Sequence, residues 1–171
     1  MYVDSADINK NILYQGDVIT NFPFHIFKNS QSVKKNDAGY FEIDPDGDSE
    51  HTLHIVQASK SRVIILSQSC DIQRRKNIII CPVYNLVDFT TENTINADSL
   101  RNIRERKLYY LFYLPAFLDF PESIADLQTM LYVPKSVIEQ FAGKKTISLD
   151  DLGRHHLAWS LATFFGRPAD A

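Results

Sequence analysis

Two apolar runs of strand length, Val63-Ile64-Ile65-Leu66 and Ile78-Ile79-Ile80-Cys81, flank a short polar stretch. This pairing constrains the fold more than any other feature of the chain. Both runs are β-branched and neither alternates with polar residues, the pattern of strands covered on both faces. Residues 62–67 and 77–84 are therefore predicted to form a buried β-hairpin. Its connection holds Ser67-Gln68-Ser69-Cys70-Asp71 and then the basic run Arg74-Arg75-Lys76.

The rest of the chain reads as strands around that hairpin, closed by one helix. Residues 1–11 look like a loose leader. Residues 12–19 give a short strand with a Gly16-Asp17 turn, and Pro23 marks a sheet edge or a strand start. Residues 28–50 are polar and rich in turn formers, a long exposed loop around a short strand at 40–43. A short helix is expected over 97–107 with Asp98 or Ser99 as its cap. A strand is expected over 109–114, another within 124–133, and a helical turn over 135–141 that ends at Gly143. The clearest helix is the last one, over 148–166. Ser148 stands as its cap and Asp151 at the capping-box position, and Gly166 and Pro168 follow. Strands followed by a terminal helix predict a mainly β single domain spanning 1–171, a small barrel or strongly bent sheet with a helix against one side.

Composition removes several function classes. With 171 residues there is room for one real core but not for two comfortable domains. A net charge of −3 leaves no wholesale basic footprint, so a nucleic-acid partner would need a local patch. The two cysteines are not a disulfide framework, and free thiols fit a reducing cytoplasm. No charged segment followed by an apolar one opens the chain, so no signal peptide is expected. No apolar run approaches the roughly 20 residues of a membrane span.

Cys70-Asp71 poses the sharpest chemical question. A catalytic thiol needs a neighbouring imidazole, a cation or a helix N-terminus to lower its pKa, and an adjacent carboxylate acts the other way. The competing reading packs Cys70 as a buried strand end, with Asp71 capping backbone N–H groups of the turn. Metal ligation finds little to build on. His51 and His54 point to opposite faces of a strand, and His155 and His156 lie about 100° apart around a helix. The acidic rhythm of residues 44–50 lacks the bidentate glutamate of a calcium loop and contains Pro45. No metal and no cofactor is expected. The basic residues Arg74, Arg75 and Lys76, with Arg101, Arg104, Arg106 and Lys107 on the short helix, are candidates for phosphate contacts, against the plain reading of a solvated face.

Three pieces taken in order carry a resemblance: Gly16-Asp17-Val18, Arg62-Val63-Ile64-Ile65-Leu66-Ser67 leading into Cys70-Asp71, and Ile78-Ile79-Ile80-Cys81-Pro82-Val83. Over about residues 12–86 the chain resembles the MazF/PemK toxin family, SH3-like barrels that mostly cleave single-stranded RNA and usually act as dimers. The later segments at 112–115 and 126–134, with the Phe-Phe-Gly-Arg-Pro ending, are similar to a set of bacterial proteins that share the Ser-Gln-x-Cys-Asp hairpin. The first resemblance implies an SH3-like MazF/PemK-type barrel with added strands and a C-terminal helix. It also implies an RNA or protein partner, a homodimer, and Arg62, Ser67 and Asp71 as the catalytic candidates. The chain departs from the family where the chemistry matters. No proline follows Arg62, and Val83-Tyr84-Asn85-Leu86 offers no hydroxyl after Pro82. RNA cleavage needs a base for the 2′-OH and a cation for the phosphorane; Arg62 would serve as the second, and the first is missing. Two readings follow. One is a non-catalytic barrel that binds a protein or nucleic acid in a bacterial accessory, defence or toxin–antitoxin-like system; the other is a metal-independent endoribonuclease.

Overall fold

The central hairpin forms as expected. Strand β3 (His51–Ile65) and strand β4 (Asn77–Asn85) run antiparallel, with Arg62 opposite Val83 and Ile65 opposite Ile80. Val63, Ile64, Ile65, Ile78, Ile80 and Cys81 are fully buried, so both faces of this ribbon are covered. The computed structural model describes residues 1–35, 41–43 and 51–166.

The remaining elements are β1 (Asp17–Lys35), β2 (Phe41–Ile43), β5 (Leu111–Leu114), β6 (Ser123–Asp126), β7 (Leu131–Pro134) and β8 (Lys145–Ser148). The helices are α1 (Ser69–Arg74), α2 (Leu86–Glu92), α3 (Ala97–Arg104), α4 (Lys135–Glu139) and α5 (Asp151–Phe165). The fold is mainly β, a curled antiparallel sheet with helices added, in strand order β2-β1-β3-β4-β6-β5, with β7 beside β4 and β8 beside β1. Contacts divide it into two units, Met1–Phe22 together with Ser61 onward, and Pro23–Lys60. In the smaller unit, β1 and β2 pair antiparallel from Val33 opposite Ile43 to Lys35 opposite Phe41.

In the larger unit, β4 changes partner halfway along. Its first half pairs with β7 up to Ile80 opposite Leu131, and its second half with β6 from Val83 opposite Ala125. Pro82 falls at the changeover. A proline has no N–H to give a ladder, and here that side of the strand has no partner to serve. The switch turns the sheet and encloses a core of Val18, Ile64, Leu66, Phe112, Leu114, Leu127 and Leu157. A second cluster of Leu86, Ile103, Leu111 and Ile124 anchors α2 and α3 against β5 and β6.

Several sequence expectations are corrected. The leader is not loose. Tyr2 bridges to Leu149, Val3 N–H donates to the Ser148 carbonyl at 2.9 Å, and Met1 and Tyr2 pack on the core. Residues 12–16 form no strand, with a turn only at Gln15-Gly16, and β1 starts at Asp17. The expected loop over 28–50 is strand through Lys35; the strand at 41–43 is present, while residues 36–40 and 44–50 lie outside the described residues. Pro23 lies inside β1 instead of at its start. The 124–133 segment holds two strands, because Asp126 Oδ1 accepts from Gln128 N–H at 3.0 Å and breaks the run. Helix α3 is capped by Asn96, and the terminal helix by Asp150, whose Oδ1 accepts from Gly153 N–H at 2.7 Å. Ser148 belongs to β8, an element with no periodic signal in the sequence.

Candidate functional site

Arg62 sits near the end of the β3–β4 hairpin that is remote from the polar turn. Its side chain is half-buried and turned by two neighbours. Its Nη2 donates to Asn85 Oδ1, and its guanidinium carbon lies 5.4 Å from the centre of the Phe120 ring. Asn85 in turn donates from Nδ2 to Asp88 Oδ2 at 2.8 Å, so the amide stands between the cation and the carboxylate. Burial pulls the Arg62 pKa below its ordinary value, and Asp88 acts in the opposite direction. A guanidinium remains charged under such a shift. The result is a cation fixed in orientation by a neutral partner and an aromatic face.

A cleft of about 470 Å³ opens beside it. Thr20 from β1, Thr146 and Ile147 from β8, and Ser5 and Ile8 from the N-terminal turn form part of the wall. The loop joining β5 to β6 supplies Phe117 to Pro121. That loop is pinched by a Phe117–Phe120 bridge with hydrogen bonds of 3.0 and 2.9 Å. The pinch forces Leu118 into the left-handed region at φ 49° and leaves it 74% exposed. A branched apolar residue in that conformation is strained, and strain of this kind gathers where a protein meets a ligand.

The other sequence candidates do not join Arg62. Ser67 and α1 lie toward the opposite end of the hairpin: Ser67 Oγ accepts from Ile79 N–H at 2.8 Å, four positions along β4 from the partner of Arg62. At a strand rise of about 3.3 Å per residue that is more than about 10 Å, and the Arg74-Arg75-Lys76 turn is roughly 20 Å away. The Ser67 hydroxyl is thus spent on the turn. Asp71 lies in the first turn of α1, with no cap bond to a backbone N–H. The capping role expected of Asp71 is not filled: Ser67 Oγ bonds to β4, and Ser69 Oγ ties the start of α1 to the N-terminal segment by accepting from Gln15 N–H at 3.1 Å. Cys70 is exposed on α1 and is not the buried strand end expected, because the helix begins at Ser69 and turns the thiol outward. Its Sγ lies 3.8 Å from Gln68 Oε1.

The basic candidates also separate. Arg74, Arg75 and Lys76 line an open depression with Lys135 and Glu139. Arg104 is committed to Glu122 through two hydrogen bonds of 2.8 and 2.9 Å, and Arg101 stands 3.9 Å from Asp98 and 4.0 Å from Glu105. Their charge is balanced locally, so they add little to a phosphate-binding field. Among the described residues, no group of three or more histidine, cysteine or acidic side chains is arranged to hold a metal ion.

One polar centre escapes the sequence reading, which marks Asp17 only as part of a Gly-Asp motif. Asp17 and Lys145 form a buried ion pair at 2.9 Å, with side chains 0% and 1% exposed. Lys145 Nζ also donates to the Asn9 carbonyl and, at 2.5 Å, to the Ile12 carbonyl. Asp17 accepts from Tyr14 N–H at 2.8 Å and from Ser148 Oγ at 2.5 Å. Gly16 beside it has φ 82°, and a Cβ there would stand 2.7 Å from Leu149. The Gly-Asp pair is therefore architectural: it fixes β8, and with it the Thr146–Ile147 wall of the cleft.

Fold and cleft together define a mainly β, half-barrel protein with one oriented arginine in an apolar-walled recess. No family model matches the chain, and no curated protein matches it. No helix among the described residues is long and apolar enough to cross a membrane.

Proposed function

We propose that this protein is a non-catalytic binding module built on a MazF/PemK-like, SH3-like barrel. Its Arg62 cleft takes a segment of a protein partner that bears a carboxylate among apolar residues. The observation that carries this reading is Arg62 itself, half-buried, aimed by Asn85 and backed by Phe120 at the wall of an apolar cleft. A fixed guanidinium suits bidentate capture of a carboxylate, and partial burial strengthens that bond. Phe120, Pro121, Ile8 and Ile147 offer apolar contact on either side, and Leu118 at the rim gives an exposed anchor.

A polyanion fits less well. The wall includes Asp119, the net charge is −3, and Arg101 and Arg104 already face acids. Cleavage chemistry has a further obstacle, since Ser67 and Asp71, the partners that the resemblance implies for Arg62, stand away from it. The sequence resemblance supports a setting in a bacterial accessory, defence or toxin–antitoxin-like system, where such a module would hold a partner chain.

The test uses fluorescein-labelled short peptides with one Asp or Glu between apolar residues, each beside its Asn or Gln counterpart, read by anisotropy. Arg62→Met keeps the apolar stem and removes the charge. Acidic peptides are expected to bind, and Arg62→Met to weaken them roughly 10- to 100-fold, the worth of one charge-assisted hydrogen-bonded contact. Equal binding of acidic and amide peptides would overturn the proposal. So would discrete cleavage of a long single-stranded RNA that Arg62→Met abolishes.

A further inference from the structure

Helix α5 and the turn after α3 border a second, half-open cavity of about 380 Å³, whose wall is Arg106, His155, His156, Trp159 and Ser160. Every polar group in that wall can donate a hydrogen bond, and no carboxylate belongs to it. The cleft at Arg62 differs on this point, since its wall includes Asp119. We propose that this cavity binds a small anion carrying a flat ring, of the nucleoside monophosphate class.

Arg106 has no acidic partner among the described residues. Its Nη1 lies 2.9 Å from His156 Nδ1, its Nη2 lies 3.2 Å from the Met1 sulfur, and its guanidinium carbon is 5.9 Å from the centre of the Phe112 ring. Its Nε is buried with no hydrogen-bond partner at all. A half-buried guanidinium with only neutral, weak acceptors is a cation short of its anion. The backbone supports this placement at a cost, because Arg106 is held at φ 57°, in the left-handed region.

The arginine also sets the protonation of its neighbour. A guanidinium cannot accept, so His156 Nδ1 must, and the ring proton then sits on Nε2 as a further donor. Burial, with Arg106 and His155 adding to it, lowers the His156 pKa, while Asp150 acts the other way. His155 and Ser160 complete the donor set at the rim. Trp159, 65% exposed, presents an aromatic face beside these donors, where a planar ring can stack while its anionic group meets Arg106. The volume lies in the range of small-ligand sites.

Trp159 is the single tryptophan of the chain, so its fluorescence reports this cavity directly. The probes are adenosine monophosphate, adenosine and inorganic phosphate, titrated into the folded protein. Adenosine monophosphate is expected to quench Trp159 saturably, phosphate to compete, and adenosine to bind about tenfold or more weakly. Arg106→Gln is expected to cost about tenfold or more, and Arg62→Met nothing. Should Arg106→Gln fail to fold, the exposed His155→Ala serves, with a loss of several-fold expected. The proposal falls if quenching never saturates, if adenosine binds as well as its monophosphate, or if affinity survives the variant that folds. Loss on Arg62→Met alone would place the ligand in the other cleft and overturn it equally.

Discussion

Lys145→Met removes the cation from a buried network and leaves Asp17 behind. In the folded protein the three ammonium donors meet Asp17 Oδ2 at 2.9 Å and the carbonyls of Asn9 and Ile12. After the substitution the carboxylate, fully buried, keeps only Tyr14 N–H and Ser148 Oγ, and two carbonyls lose their donor. Stranding one partner of a buried pair typically costs about 3–5 kcal/mol. For a chain of this size, each kcal/mol moves Tm by roughly 2–4 °C, so a fall of about 6–20 °C is expected. Urea unfolding of Lys145→Met, Asp17→Asn and the double variant measures both the cost and the coupling. The double variant is expected to cost at least ~1 kcal/mol less than the two singles summed, since each single strands what the other would have matched. A cost for Lys145→Met below about 1 kcal/mol, or strict additivity, would refute the claim that this pair holds β8 and the cleft wall in place.

Two further outcomes follow from burial and charge. An aromatic disulfide reagent should titrate one thiol of the native chain, Cys70, and the second, Cys81, only on unfolding, because Cys81 is fully buried and its pKa is pushed well up by that burial. Two fast thiols in the native protein would contradict this. Glu122 accepts from Arg104 and, at 2.5 Å, from Tyr113, which holds its carboxyl below the usual range. Its contribution is complete above the unfolded value near about 4.3 and is lost as pH falls through the lower folded value. Thermal melts of Glu122→Gln and the parent should therefore differ at neutral pH and converge in acid. Tyr113, pushed up to about 12 chiefly by burial, adds a loss of stability as pH rises from the ordinary phenol range near about 10 toward that value.

The hairpin was legible because its information is local: two β-branched runs with no polar alternation can only be buried strands or a buried helix, and their length decides. The terminal helix and the strand near 111–114 were legible for the same reason. The turn between the hairpin strands was misread because α1 has six residues, too few for a period to appear, and its start at Ser69 decides which way Cys70 faces. The Asp17–Lys145 pair joins residues 128 positions apart, and no spacing rule reaches that far. The Gly-Asp motif did flag one end of it, as a piece of a resemblance and not as a buried charge. Arg62 was picked out by that resemblance. Its distance from Ser67 and Asp71 emerges only from strand register, which puts them toward opposite ends of one ribbon. Arg106 was legible as one of a basic run with Arg101, Arg104 and Lys107, and only the left-handed turn at its own position separates it from them.

The central claim is that Arg62 is an oriented, unspent cation that captures a partner's carboxylate and performs no chemistry. The direct measurement is peptide anisotropy on the parent protein and Arg62→Met, with acidic and amide peptides side by side. The account predicts binding that requires the acid and falls roughly 10- to 100-fold without the guanidinium. Binding that ignores either the acid or Arg62 would contradict it.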